Sequence, residues 1–226
     1  MNKYEQYLHE LKNLFWENNF PPDDLQLERL AHFAELIVKK NESLNLISRT
    51  DAKNIVENHI FISCLIKKYF NQKFTKFLDI GTGGGLPGIP FAIINPMTRG
   101  VLVDSITKKT VAVQEFVDKL KLLSVKVENI RVESEEFISK YKNSFDLIIS
   151  RATVPVIILV RYSLPLIKEK AYIVAIKGGD LTNEIKTAEI KYKAHIKKAT
   201  TIEMAYKPSN IRNEKDKKLV ILELIK

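Results

Sequence analysis

Three residues of this 226-residue chain stand where chemistry can be done: Asp79, Asp104 and Arg151. Asp79 opens the string Asp79-Ile80-Gly81-Thr82-Gly83-Gly84-Gly85-Leu86-Pro87-Gly88, in which five of the chain's eight glycines fall within eight residues. A mostly apolar run (74–80) enters the string and a helical run (89–95) leaves it. Strand, glycine loop and helix N-terminus in that order form a cradle for a nucleotide-like ligand. Glycine there permits a tight turn and a close backbone approach. Asp104 ends the next apolar run, Val101-Leu102-Val103. A carboxylate at that point can accept hydrogen bonds from both hydroxyls of a ribose, or it can cap the helix expected to start near Thr107. Arg151 follows Phe145-Asp146-Leu147-Ile148-Ile149-Ser150 and precedes another apolar run. A buried arginine needs an anion: either Asp79 or Asp104 inside the fold, or a ligand carboxylate or phosphate. Lys177, before Gly178-Gly179, closes a further run on the same rim. It is either a point charge for phosphate or a solvated lysine at a helix start.

Two loop patterns overlap. Gly83-x-Gly85-x-x-Gly88 fits a dinucleotide fingerprint, while Asp79-x-Gly81-x-Gly83-x-Gly85 fits the S-adenosylmethionine loop of class I methyltransferases. The second includes the acid at the strand end. A carboxylate there can orient the loop and face a sulfonium or amino group, but is poorly placed beside a pyrophosphate. Ser134 and Glu135, after the third expected strand, either read an adenine edge through their backbone or simply start a helix with Ser134 as its cap. Phe137 rules out a capping box there. The Asp/Asn-Pro-Pro-aromatic motif of amino-group methylases is absent after strand four. His9, His32, His59 and His195 all read as structural or surface residues away from the strand ends, and no Cys/His cluster has metal spacing.

The elements that would position these residues follow from hydrophobic periodicity. Residues 1–72 read as helical: an apolar stripe from Tyr4 to Phe15, a second from Leu25 to Val38 after the break and cap Pro21-Pro22-Asp23, and a third helix over 52–70. From residue 73 short strands alternate with helices. Strands are expected at 75–80, 100–104, 125–132, 145–150 and 171–177, with helices at 89–95, 108–122, 134–140, 154–167 and 181–192. Two closing strands, 195–205 and 218–225, have only a loop between them. The expectation is a helical cap (1–72) on a Rossmann-like α/β domain (73–226), with a doubly wound, mostly parallel sheet ending in an antiparallel hairpin.

Composition bounds the class. The chain has one cysteine, Cys64, so no internal disulfide is possible and a reducing compartment is expected. The polar N-terminus has no signal-peptide core, and the longest apolar run (154–160) is too short to span a bilayer. A cytoplasmic protein is expected, and a monomer by default. The net charge of +9 is compatible with a lysine-rich bias or with a polyanionic partner. Seven of the 36 basic residues are arginine, so an arginine in an unusual setting is the more informative cation.

Together, residues 79–90, Val103-Asp104-Ser105, Ser150-Arg151-Ala152 and Ile176-Lys177-Gly178 closely resemble the RsmG (GidB) family. Asn45-Leu46, Arg49, Asp51 and His59-Ile60 look like the same family's helical cap. The resemblance implies a class I methyltransferase that uses S-adenosylmethionine on a guanine N7 of 16S ribosomal RNA, free or in the small-subunit particle. It implies a cofactor site made by Asp79, Gly81, Gly83, Gly85, Leu86, Asp104, Ser134, Glu135 and Arg151, and RNA contacts from Arg151, Lys177 and Lys217. Three positions depart from the family pattern: Ile62 in place of an acid, Glu133 in place of an arginine, and Lys217 in place of an arginine before the last strand. The last two bear on RNA contacts and not on the cofactor. Guanine N7 carries an exposed lone pair, so no catalytic base or metal is required. A small-molecule methyltransferase and a non-catalytic RNA-binding protein with a relic pocket are the alternatives.

Overall fold

Strand β1 (Lys76–Ile80) lies inside a seven-stranded sheet of order β3-β2-β1-β4-β5-β7-β6. The computed structural model describes residues 2–48, 52–151, 153–207 and 217–226. β2 (Arg99–Asp104), β3 (Val125–Asn129), β4 (Phe145–Arg151) and β5 (Ile167–Gly178) join β1 in parallel. β7 (Lys217–Ile225) inserts antiparallel between β5 and β6 (Ile196–Glu203). This is the doubly wound sheet with an antiparallel end that the alternation predicts. The chain runs outward through β1, β2 and β3, then returns to β4 on the other side of β1. The reversal opens a crevice at the carboxyl ends of β1 and β4, where open α/β sheets take ligands. The glycine loop and Arg151 both sit there.

Side chains alternate across the strands with period two and feed two cores. Phe77, Leu102, Leu147, Ile149 and Val174 face one side. They pack with α1 (Lys3–Glu17), α2 (Asp24–Asn41), α3 (Ile62–Tyr69), α4 (Gly88–Ile94) and α5 (Thr107–Lys119). Leu78, Val101, Val103, Ile148 and Ile173 face the other side, under α6 (Glu135–Tyr141), α7 (Val156–Ser163) and α8 (Thr182–Lys191). Buried residues of the N-terminal helices thus belong to one continuous core with the sheet, from Leu11 to Leu219. Polar ties reinforce the join. Lys40 Nζ donates to Glu115 Oε2 at 2.7 Å, Gln26 Nε2 to the Ile93 carbonyl at 3.1 Å, and Asn18 exchanges hydrogen bonds with the Lys207 backbone at 2.8 and 2.9 Å.

Local chemistry sets the ends of several elements. Asp23 caps α2, its carboxylate accepting from Gln26 N at 2.8 Å while Gln26 reaches back to Asp23 N, as the Pro-Pro-Asp break suggests. Four expectations need correction. The helix placed at 52–70 is not uniformly α: Val56–Phe61 is π-helical and runs straight into α3. β3 ends at Asn129, three residues early. The Asn129 side-chain amide bonds the Asp104 carbonyl at 3.3 Å, and residues 130–133 turn away from the sheet. α7 is shorter than 154–167, since Pro155 fixes its start. β5 starts at Ile167 because the Ser144 and Phe145 N–H groups already bond the Leu166 carbonyl. Arg49, Asp51, Ala152 and most of the expected loop between the last two strands lie outside the described residues.

Candidate active site

Three glycines of the loop hold backbone angles that other residues rarely adopt: Gly81 at φ +70°, Gly83 at +56° and Gly85 at +88°. Gly81 and Thr82 both donate to the Val103 carbonyl, at 3.0 and 3.1 Å, so the turn is tied to the end of β2. Gly84 needs its missing side chain for another reason: a Cβ there would lie 3.1 Å from Leu46 and 3.2 Å from Ile37. The N-terminal segment therefore presses directly on the loop. Asn41 holds that segment by accepting from Leu46 N and Ile47 N at 2.8 and 3.0 Å.

Asp79 is fully buried beneath the loop. Its Oδ2 accepts from Gly88 N at 2.9 Å, which fixes the start of α4, and Gly88 is forced because a Cβ would sit 2.5 Å from that oxygen. Oδ1 has no hydrogen-bond partner. Burial pushes the Asp79 pKa up to about 7, against the smaller opposing effects of the nearby Thr82 hydroxyl, the Gly88 N–H and the Arg151 charge. A carboxyl whose pKa is raised on folding stabilises the fold below its unfolded pKa, and that stability is lost as pH rises to the folded value. Stability of the free protein is thus expected to fall between about pH 4 and 7. Asp79→Asn keeps an acceptor for Gly88 N and removes the charge. Its urea-unfolding free energy, measured across that range, should show a shallower fall than the wild type's; an unchanged slope would put the cause elsewhere.

Asp104 lies half-buried at the end of β2. Its Oδ2 accepts from Gly83 N and its Oδ1 from Ile106 N, both at 3.0 Å. It therefore braces the loop and does not cap α5, which begins at Thr107 after Ile106, a cap position with no side-chain hydrogen bond. With Gly81, Thr153 and residues 130–133 it lines a cleft of about 180 Å³.

A second, larger cleft of about 540 Å³ adjoins it, and Thr153 and Val154 belong to both. Its wall carries His59, Arg151, Lys177, Glu184 and Lys217. Thr153 is the divider. Its methyl packs over Gly81, where a Cβ would come within 2.4 Å of it, and its hydroxyl lies 2.6 Å from Ser150 Oγ. Ser150 in turn donates to the last carbonyl of β1, Ile80, at 3.0 Å. Arg151 Nη2 bonds His59 Nδ1, while its charge acts on Asp79 through space. Lys177 is neither solvated nor free: its Nζ donates to Glu184 Oε1 at 2.5 Å and to the Val154 carbonyl at 3.0 Å. The same Glu184 oxygen accepts from Val156 N at 2.6 Å, so it satisfies the start of α7. Lys217 Nζ donates to the Asn58 carbonyl at 3.1 Å.

Gly81 and Asp104 thus meet in the smaller cleft, and Arg151, Lys177 and Lys217 in the larger. Asp79, Gly83, Gly85 and Leu86 build the floor and the turn. Ser134 caps α6, its Oγ accepting from Phe137 N at 3.3 Å, and Glu135 is exposed. The cleft wall comes instead from residues 130–133, just before them. Sequence reasoning missed Asn58, His59, Thr153 and Glu184. The histidine reading needs correction in particular, because a π-helical turn 92 positions away carries His59 to the end of β4.

The model of the GidB family, rRNA small subunit methyltransferase G, matches residues 26–213. The chain belongs to this family. Among relatives named ribosomal RNA small subunit methyltransferase G, the Chlorobium chlorochromatii protein is 40% identical over 75% of this chain and 71% of its own length. The Chlorobium limicola protein is 35% identical over 90% of each, and the Flavobacterium johnsoniae protein 41% over 72% and 78%. An O-methyltransferase from Bacillus cereus in complex with SAH superposes with a TM-score of 0.59 at 17% identity, over 99% of this chain and 100% of that one. A SAM-dependent methyltransferase from Aquifex aeolicus gives 0.52 at 16%, over 72% and 88%. Those two likenesses concern the fold. As a member of the rRNA small subunit methyltransferase G family, the chain is an S-adenosylmethionine-dependent rRNA methyltransferase.

The residues present fit that donor. A Cβ at Gly83 would meet only the Gly81 carbonyl oxygen, at 4.0 Å, Asp104 offers its carboxylate at the end of β2, and Asp79 Oδ1 is a buried acceptor with no hydrogen bond. Among the described residues no helix is long and apolar enough to cross a membrane, and no cluster of three acidic, histidine or cysteine side chains could hold a metal ion.

Proposed function

We propose that this chain transfers a methyl group from S-adenosylmethionine to N7 of a guanine in 16S ribosomal RNA, as a monomer in the cytoplasm. The observation that carries the reading is the pair of adjoining clefts split by Thr153: one braced by the glycine loop and Asp104, the other lined by cations. Asp79, Gly81, Gly83, Gly85, Leu86, Asp104 and Arg151 form the cofactor side in this reading, with residues 130–133, just ahead of Ser134 and Glu135, as its wall. Arg151, Lys177 and Lys217 face the RNA. Residues 1–72 act as the cap and contribute Asn58, His59 and Ile62 to the cleft that receives the base.

When bound, the donor supplies a methyl group on an electrophilic sulfonium. The chain's own task is then alignment. Guanine N7 needs no deprotonation, so holding two reactants in line can supply roughly 7–11 kcal/mol of barrier lowering. The buried Asp79–Gly88 contact and the three positive-φ glycines keep the loop from shifting. The Lys177–Glu184–Val156 contacts hold the segment that follows Arg151. Glu184 also offsets the Lys177 charge, which suits a base that becomes cationic on methylation.

Incubation with tritiated donor and either deproteinised 16S RNA or assembled small subunits tests the reading. Label should enter at least one of the two RNA substrates, whereas labelling of neither overturns it. RNA affinity is also expected to fall linearly on a log–log salt plot, with a slope of roughly −0.7 per phosphate contacted on single-stranded RNA. Three cations at phosphates would weaken binding roughly tenfold or more between about 0.1 and 0.4 M salt. Salt-independent affinity, measured by filter binding, would argue for a neutral substrate.

A further inference from the structure

We infer that His59 is the positioning residue for Arg151: it is held as a neutral imidazole with its proton on Nε2, and its Nδ1 lone pair fixes the guanidinium at the wall of the base cleft. Arginine carries only donors, so the nitrogen that meets Arg151 Nη2 must accept. That assigns the tautomer without a choice. It also assigns the charge state, since imidazolium has no acceptor.

The surroundings hold His59 as a fixed support. The side chain is 5% exposed. Its backbone carbonyl accepts from Ser63 Oγ at 2.6 Å, and the preceding carbonyl, of Asn58, accepts from Lys217 Nζ at 3.1 Å. Residues 58 and 59 are therefore pinned from α3 on one side and from β7 on the other. The turn is π-helical, a form that is rare and concentrated at functional sites. Its extra residue per turn changes which side chains face the sheet from that point onward.

Charge around the cleft favours the same state. Arg151 from β4, Lys177 from β5 and Lys217 from β7 line it with His59. Opposing them are Glu184 from α8, already bonded to Lys177, and Glu57 on the same turn; Asp79 from β1 lies within reach of the Arg151 charge. Protonating His59 would remove the acceptor and set a second cation against Arg151. Transfer should therefore fall on the acid side as His59 gains its proton.

The inference rests on the methyl-transfer reading for its activity measurements, so the test includes one that does not need turnover. Nitrogen-15 NMR of the wild-type imidazoles should show His59 neutral with Nε2 protonated, and Arg151→Ala should release that tautomer preference. His59→Leu removes the acceptor, and His59→Asn restores an oxygen near the Nδ1 position that does not titrate. In His59→Leu, kcat/KM for RNA is expected to drop about 100-fold, the cost of a misplaced reacting group. S-adenosylmethionine affinity should fall by no more than about tenfold, because the donor keeps its glycine loop and Asp104 and loses only the placing of Arg151. His59→Asn should recover most of the loss and lose the His59 part of the acid limb, leaving only the part carried by Asp79, whose pKa is pushed up to about 7. Equal defects in the two variants, an acid limb unchanged from wild type in His59→Asn, or an Nδ1-protonated His59 would overturn the inference. If the leucine variant fails to fold, the pH profile of the asparagine variant and the wild-type tautomer decide. An inactive wild type with the Nε2–H tautomer present would sink the proposed function and leave the geometric assignment standing.

Discussion

Asp104→Ala is expected to weaken S-adenosylmethionine binding by a hundredfold or more, measured by titration calorimetry. The Asp104 carboxylate already accepts from Gly83 N and Ile106 N, one bond on each oxygen, which leaves a free lone pair on each oxygen for a sugar hydroxyl. Hydrogen bonds to a charged group contribute roughly 1.5–3 kcal/mol each, and two at the lower end already exceed a hundredfold in affinity. Losing the Gly83 contact should add to this by loosening the loop. Asp104→Asn separates the two effects. It keeps one oxygen for a backbone N–H but turns a donor toward the other partner. Its thermal stability should lie between those of wild type and Asp104→Ala, since one backbone contact is kept and the other lost, while its affinity for the donor remains well below wild type. Normal affinity in Asp104→Ala would mean that the sugar is held elsewhere.

Arg151→Ala is expected to cut kcat/KM for RNA by more than a hundredfold, and Arg151→Lys is not expected to rescue it. Removing one member of a desolvated charged contact typically costs about 2–5 kcal/mol, or roughly 30- to several-thousand-fold in rate terms. Lysine is a point charge and lacks the planar fork that can reach His59 and an anion at once. A second readout follows from Asp79. The Arg151 charge is one of the forces holding the Asp79 pKa down, so its loss should push that pKa above about 7 and carry the decline in stability to higher pH. Full activity in Arg151→Lys would show that charge alone suffices and that the fork has no role.

Much of the fold was legible because local chemistry and global topology agree. The Pro21-Pro22-Asp23 break does cap α2, and the glycine string does become a turn with three left-handed glycines between a strand and a helix. Alternation of short apolar runs with helical stretches led to the parallel sheet. A loop-only connection led to the antiparallel end. Asp104 and Gly81 were readable as partners because both end neighbouring strands, whose carboxyl edges are adjacent in any such sheet.

The residues that complete the site were not legible, for physical reasons. His59 reaches Arg151 across 92 positions, and nothing in a helical stripe signals that one turn will be π-helical. Ile62, a departure from the family's usual acid, looked like an isolated oddity, yet it lines the same cleft as His59. Lys177 read as a phosphate contact or a solvated lysine, and not as half of an ion pair, because its partner, Glu184, is an unremarkable acid in the first turn of the next helix. The end of β3 was placed late because Ile130 and Val132 continue an apolar rhythm that belongs to the cleft wall. The His59 miss involves a contact between distant elements, which local spacing cannot encode.

Seating the donor and aligning an already nucleophilic nitrogen are what the two clefts are arranged to do. The most direct test is nucleotide-resolution mapping of 16S RNA after incubation with the protein and S-adenosylmethionine, by borohydride and aniline cleavage at 7-methylguanosine. A single new cleavage at one guanine, absent without the protein and lost in the Asp104→Ala variant, is the expected result. Methylation at any other atom, or no modified guanine in either free RNA or the assembled subunit, would contradict it.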